Sequence, residues 1–142
     1  MKNRTINNVF AILSAVFGIV LIVFGIHEAG VDTDVANDEN VIDTMMFIVP
    51  GIILLADSAV YVFRDRLFRT DRSFLLGNLA IVILTGFLAE CIYFQFIHYG
   101  IHRPQLKMAV PAILISLVFG LFVLIVDGLY LCVRKAAGLT KK

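Results

Sequence analysis

Four apolar runs divide this chain, and its twelve basic residues are sorted by them. Lys2 and Arg4 precede the first run, Arg64, Arg66, Arg69 and Arg72 lie between the second and third, and Arg134, Lys135, Lys141 and Lys142 follow the fourth. The segment between the first two runs holds six acids, Glu28, Asp32, Asp34, Asp38, Glu39 and Asp43, and no base, while the segment between the last two holds only Arg103 and Lys107. Loops on the cytoplasmic side of a membrane are enriched in Lys and Arg. The pattern therefore predicts an all-α fold, a four-helix transmembrane bundle running up-down-up-down, with both termini and the middle loop cytoplasmic. A plasma membrane, specifically a bacterial inner membrane, is the expected location.

Composition removes the soluble alternatives. Hydrophobic residues make up 60% of the chain and charged residues 16%, against about 45 to 50% and about 25% in soluble domains. A water-soluble fold of 142 residues has no interior large enough to hide that much apolar surface. The net charge of +1 conceals charges that are segregated by side instead of gathered into a basic patch, so nucleic acid is not an expected partner. The only cysteines, Cys91 and Cys132, lie in apolar runs near opposite membrane faces, which excludes a disulfide framework.

The runs cover about 9–26, 45–63, 74–97 and 108–133 of one integral-membrane domain spanning 1–142. At about 1.5 Å per residue each is long enough for a hydrocarbon core of about 30 Å. The first run exceeds the usual signal-peptide core of about 7 to 15 residues and is followed by no small-x-small cleavage pattern, so it is read as a retained helix. Pro50 and Pro111 are expected in the first turns of the second and fourth helices, where a missing N–H costs least.

Small residues mark the expected contact faces. Ala11, Gly18 and Gly25 recur every seven residues in the first helix with Ser14 between them, Gly86 falls in the third, and Ser116 and Gly120 share a side of the fourth. Lipid tails give apolar helices no hydrophobic reason to associate, so positions that let backbones approach closely become the packing faces. Phe, Leu, Ile and Val are then expected to face lipid. A shift of 70 residues overlays Asn8 on Asn78, Asp57 on Asp127 and Arg64 on Arg134, the pattern of a tandem repeat of two-helix hairpins.

Three acids fall inside the runs: Asp57, Glu90 and Asp127. An Asp at the centre of a spanning helix costs about 2.5 to 3.5 kcal/mol on insertion scales, and such residues face a bundle interior or a water-filled path. Asp57 and Asp127 each precede an Arg by seven residues, which sets both about 10 Å in from the basic side. Glu90 sits in the opposite half. No basic residue is expected at the depth of these acids, and uncompensated carboxyls in such surroundings form proton relays or cation sites. Tyr61, Tyr130 and Ser58 are the hydrogen-bond partners expected at the level of the Asp pair. The bland alternative is a protonated Asp bonded to a neighbouring helix. His27, His98 and His102 lie near the acidic side, where with Glu28 they form a candidate transition-metal site, although solvated interfacial histidines are the commoner arrangement.

Catalytic signatures are missing: the sequence has no G-x-S-x-G, no Walker loop and no H-E-x-x-H. Neither enzyme activity nor a cofactor is expected, a membrane enzyme ranking third among the readings. The leading expectation is a small multi-pass protein that moves or senses a proton or cation through an interior site of Asp57 and Asp127, with Glu90 as outer relay. Its partners would be the lipid bilayer and further copies of itself, since four helices enclose little volume. The other expectation is an accessory or immunity-type subunit that docks onto a larger membrane protein.

Overall fold

The computed structural model describes residues 2–31, 38–92 and 109–138. They form four α-helices: α1 (Lys2–Val31), α2 (Asp38–Leu67), α3 (Asp71–Ile92) and α4 (Ala109–Ala136). All four are long and apolar enough to cross a membrane. The predicted spans lie within these helices except for 93–97 and 108, which fall outside the described residues.

Local chemistry sets the ends near the basic loop. Thr70 caps α3: the backbone N–H of Ser73 donates to Thr70 Oγ1 and the backbone N–H of Thr70 donates to Ser73 Oγ, each at 3.1 Å. This reciprocal pairing is a capping box with Ser in the third position. Asp71 then stands in the first turn, where a negative charge suits the helix dipole. α4 closes at Gly138, whose φ of +73° is the left-handed conformation glycine adopts freely. At the other end of α2 the expectation needs correcting. That helix begins at Asp38, well before the apolar run, so Pro50 lies inside it and not in its first turns.

Neighbouring helices run antiparallel. Gly18 of α1 faces Gly51 of α2 and Gly25 faces Ile48, while Gly86 of α3 faces Ser116 of α4 and Gly120 faces Ile83. The three-residue separation of α2 and α3 makes those helices antiparallel neighbours as well. The glycines are not equivalent. A Cβ on Gly18 would lie 2.8 Å from the Gly51 carbonyl oxygen, which is backbone and cannot yield, whereas a Cβ on Gly120 would meet only the flexible tips of Ile83 and Leu79 at 3.3 Å.

Each helix turns one stripe inward. On α3 it is Phe74, Asn78, Val82, Gly86 and Glu90, one residue per turn. On α4 it is Ser116, Gly120, Val123, Asp127, Tyr130 and Arg134. The outer faces are Leu, Ile, Val and Phe, as expected where lipid is the surrounding solvent. The expectation that such residues all face lipid fails in the middle of the bundle. Val49, Ile53, Val82 and Val123 are buried against one another, because stripes of small residues alone would leave the space between four helices unfilled.

The inward stripes stack into layers. From the basic end these are a charged layer (Asn7, Arg64, Asp65, Asp71, Arg134), an aromatic layer (Phe10, Tyr61, Phe74, Tyr130), an acid layer (Ser14, Asp57, Asn78, Asp127), the Val/Ile layer, and a last layer containing Gly86, Glu90 and Ser116. Of the correspondences at 70 residues, Asp57 with Asp127 and Arg64 with Arg134 share layers. Asn8 with Asn78 does not: Asn8 is exposed, and it is the preceding Asn7 that turns inward.

The glycine geometry yields a graded outcome. Gly18→Leu should destabilise the bundle by about 2 to 3 kcal/mol and Gly120→Leu by about 1 kcal/mol, with Ile19→Leu on the lipid face near neutral. Thermal unfolding in mild detergent reads the order, and equal stability of the three variants would contradict this packing.

Candidate functional site

Asn78 is the centre of the acid layer. Its Nδ2 donates to Asp57 Oδ1 at 2.7 Å and to Asp127 Oδ2 at 2.8 Å. Each remaining carboxylate oxygen has its own donor: Ser14 Oγ donates to Asp57 Oδ2 at 2.8 Å, and the Tyr61 hydroxyl donates to Asp127 Oδ1 at 2.7 Å. The helices deliver these groups to one level, Ser14 from α1, Asp57 and Tyr61 from α2, Asn78 from α3 and Asp127 from α4. Asp57, Asn78 and Asp127 are completely buried. The pair forms within a single chain.

The hydrogen bookkeeping of this layer is tight. Two amide hydrogens and two hydroxyl hydrogens meet four carboxylate oxygens, one each. Asn78 Oδ1 is left as a buried acceptor without a donor among the described residues. Donors are matched, but charge is not. No described basic side chain bonds either acid, so two carboxylates would stand side by side in a low-dielectric interior. Such an arrangement calls for a proton or a cation to join it, because two like charges there cannot both ionise cheaply.

The charged layer explains why the arginines do not supply that charge. Arg64 and Arg134, placed at the edge of the basic side by the sequence, are fully buried in the bundle. Arg64 donates to Asp65 Oδ1 at 2.8 Å and also to Asp71. Arg134 donates to the same Asp65 oxygen at 3.3 Å, to Asn7 Oδ1 at 2.7 Å and to the Tyr130 hydroxyl at 2.9 Å. Two guanidinium groups and two carboxylates therefore balance within the layer, and residues from all four helices meet there. The aromatic layer separates it from the acids, with the Tyr61 and Tyr130 rings 4.8 Å apart between centroids.

The supporting residues differ in part from those expected. Tyr61 bonds Asp127, across the bundle. Tyr130 bonds neither acid; its hydroxyl donates to Asn7 Oδ1 at 2.6 Å and so belongs to the charged layer. The serine that reaches Asp57 is Ser14, not Ser58, because one residue along a helix turns the side chain by about 100° away from the inward stripe. Ser14 was expected only as a packing residue. Ala11 and Ser116 are buried as their stripes predict.

Glu90 stands apart from this pair. It is fully buried, and neither carboxylate oxygen has a hydrogen-bond partner among the described residues. Three turns of α3 and the Val/Ile layer lie between it and Asn78. His27 is exposed; His98 and His102 fall outside the described residues, as does the side chain of Glu28. Among the described residues no group of three His, Cys, Asp or Glu side chains converges to hold a metal ion.

Comparison with protein families, with curated proteins and with solved structures finds no match.

Sequence reasoning missed Asn78, Asn7, Asp65 and Asp71 as site residues. Asn78 had a usable signal, since a carboxamide in the apolar run of a spanning helix needs partners just as an acid does. Asp65 and Asp71 had none, because acids beside a basic loop look like ordinary solvated charges.

Asn78→Leu should destabilise the protein by about 1 to 3 kcal/mol, since both carboxylates lose a donor together. Asp57→Asn should stay within about 1 kcal/mol of the parent, because the substituted amide still hydrogen-bonds while a buried charge is removed. Melting temperatures in detergent test the contrast, and parent-like stability of Asn78→Leu would mean that the amide does not tie the helices together.

Proposed function

We propose that this chain is a small multi-pass membrane protein that moves protons or a cation across the bilayer, with the Asp57–Asn78–Asp127 centre as its binding site. The observation that carries this reading is the shared amide: one NH2 group holds two buried carboxyls that have no basic partner at their level. A single added positive charge relieves their repulsion and leaves the four hydrogen bonds available to fix its position. Tyr61 and Ser14 are hydroxyl groups through which a proton reaches either acid.

Glu90 is the outer relay in this proposal. The layer of Val49, Ile53, Val82 and Val123 insulates it from the Asp pair, so transfer between them requires that layer to part. The aromatic layer plays the corresponding part toward the basic end. A centre closed on both sides in this way can load from one side before it releases to the other, which is how a carrier avoids a leak.

The test is proton or cation flux in proteoliposomes. Asp57→Asn and Asp127→Asn should each lower the flux at least about tenfold, because the two acids act as one site, and the double variant should be little worse than either. Parent-like flux in the double variant would sink the proposal. Loss of flux in only one single variant would show that the acids are not a pair.

The basic end is assigned to the cytoplasm of a bacterial cell, and the acidic segment to the outside, on the distribution of Lys and Arg. Cysteines placed at Thr33 and at Arg69, in a background without Cys91 and Cys132, should label differently with an impermeant thiol reagent on intact cells. Labelling at position 33 alone is expected, and labelling at position 69 alone would invert the orientation.

A further inference from the structure

Beyond the bonds of Asn7 to Tyr130 and Arg134, α1 and α4 pack loosely and leave a seam, and in it lies a cavity of about 390 Å3 floored by α2. Phe10 and Phe17 line it from α1, Ile53 from α2, and Phe119 and Phe122 from α4; every other lining side chain but one is also apolar. The exception is Ser14, whose hydroxyl donates to Asp57 Oδ2 at 2.8 Å. Phe17 and Phe122, on either side of the seam, are 62% and 52% exposed, so the cavity opens sideways onto the lipid-facing surface. Its volume lies in the range of small-molecule sites, about 300 to 1,000 Å3.

An apolar recess open to hydrocarbon would by itself hold an acyl chain. This one differs at its single polar point, which is bonded to an acid pair that no described basic side chain compensates. Four phenylalanine rings line it; aromatic rings attract a cation that reaches their faces, and a low-dielectric wall strengthens that attraction. Apolar body and positive charge are thus recognised side by side. We propose that the cavity binds a lipophilic organic cation entering from the bilayer, with its apolar groups among Phe10, Phe17, Phe119 and Phe122 and its charge drawn to Asp57 past Ser14. This rests on the proton reading above and names its substrate class. Charge balances when one organic cation arrives as one proton leaves the Asp57–Asp127 pair for water: the carboxyl O–H breaks as an O–H to water forms, and no other covalent bond changes.

Two ions of the same shape and opposite charge separate the alternatives. Purified protein in nanodiscs, titrated by equilibrium dialysis against empty nanodiscs, should bind tetraphenylphosphonium and not tetraphenylborate. Asp57→Asn and Leu13→Trp should each weaken the phosphonium affinity at least tenfold, the first by removing the charge and the second by filling the mouth of the cavity from an exposed position. Binding of the borate as tightly as the phosphonium, parent-like affinity in Asp57→Asn, or no binding of either ion would overturn the inference. Proton flux is measured on the same preparation in liposomes, with and without a phosphonium gradient. Flux without phosphonium binding overturns the organic-cation assignment alone, whereas loss of both overturns the carrier reading with it.

Discussion

A polar group inside hydrocarbon must find its partner within the protein, because neither lipid nor bulk water will supply one. Asn78 is where that constraint is resolved for this bundle. Its one amide nitrogen serves an acid on α2 and an acid on α4, while Ser14 and Tyr61 complete the remaining oxygens. Apolar helices in lipid lack a hydrophobic drive to associate, so these bonds and the close glycine contacts between α1 and α2 decide which helices meet and at what register. Sliding α3 by one residue would carry Asn78 off the inward stripe and leave both carboxyls short of a donor.

The second polar tier obeys the same rule with a different charge balance. Asp65 accepts from both buried arginines, and Asn7 accepts from Arg134 and Tyr130, so that α1, α2 and α4 are joined there and Asp71 adds the start of α3. Opposite charges are matched in that tier. In the acid tier only hydrogen-bond donors are matched, and the contrast between two tiers of one small bundle is what supports the proposal of a binding site there instead of a second clamp. A stable framework lies beside a centre that needs one more positive charge.

Layering gives this contrast a direction. The rings of Tyr61, Phe74 and Tyr130 stand between the arginines and the acids, and they keep the guanidinium groups from neutralising Asp57 and Asp127. On the other side Val49, Ile53, Val82 and Val123 keep Glu90 separate. The seam between α1 and α4 lies across this stack, so the acid tier has a third, lateral approach that avoids both insulating layers.

Helix number, helix type, antiparallel order and the inward orientation of Asp57, Glu90 and Asp127 were legible in the sequence. They follow from local quantities: the length of each apolar run, the brevity of the loop around Thr70, and the cost of pointing an acid at lipid. Gly18 and Gly25 were readable as contacts for the same reason. The partners were not legible. Ser14 instead of Ser58, Tyr130 bonded to Asn7 instead of to an acid, Asn7 inward instead of Asn8, and the burial of Arg64 and Arg134 all depend on the rotation and depth of one helix against another. Periodicity fixes which residues share a stripe but leaves free how the stripes are rotated to face each other, and only packing of the four helices, with every buried donor seeking an acceptor, chooses among those rotations.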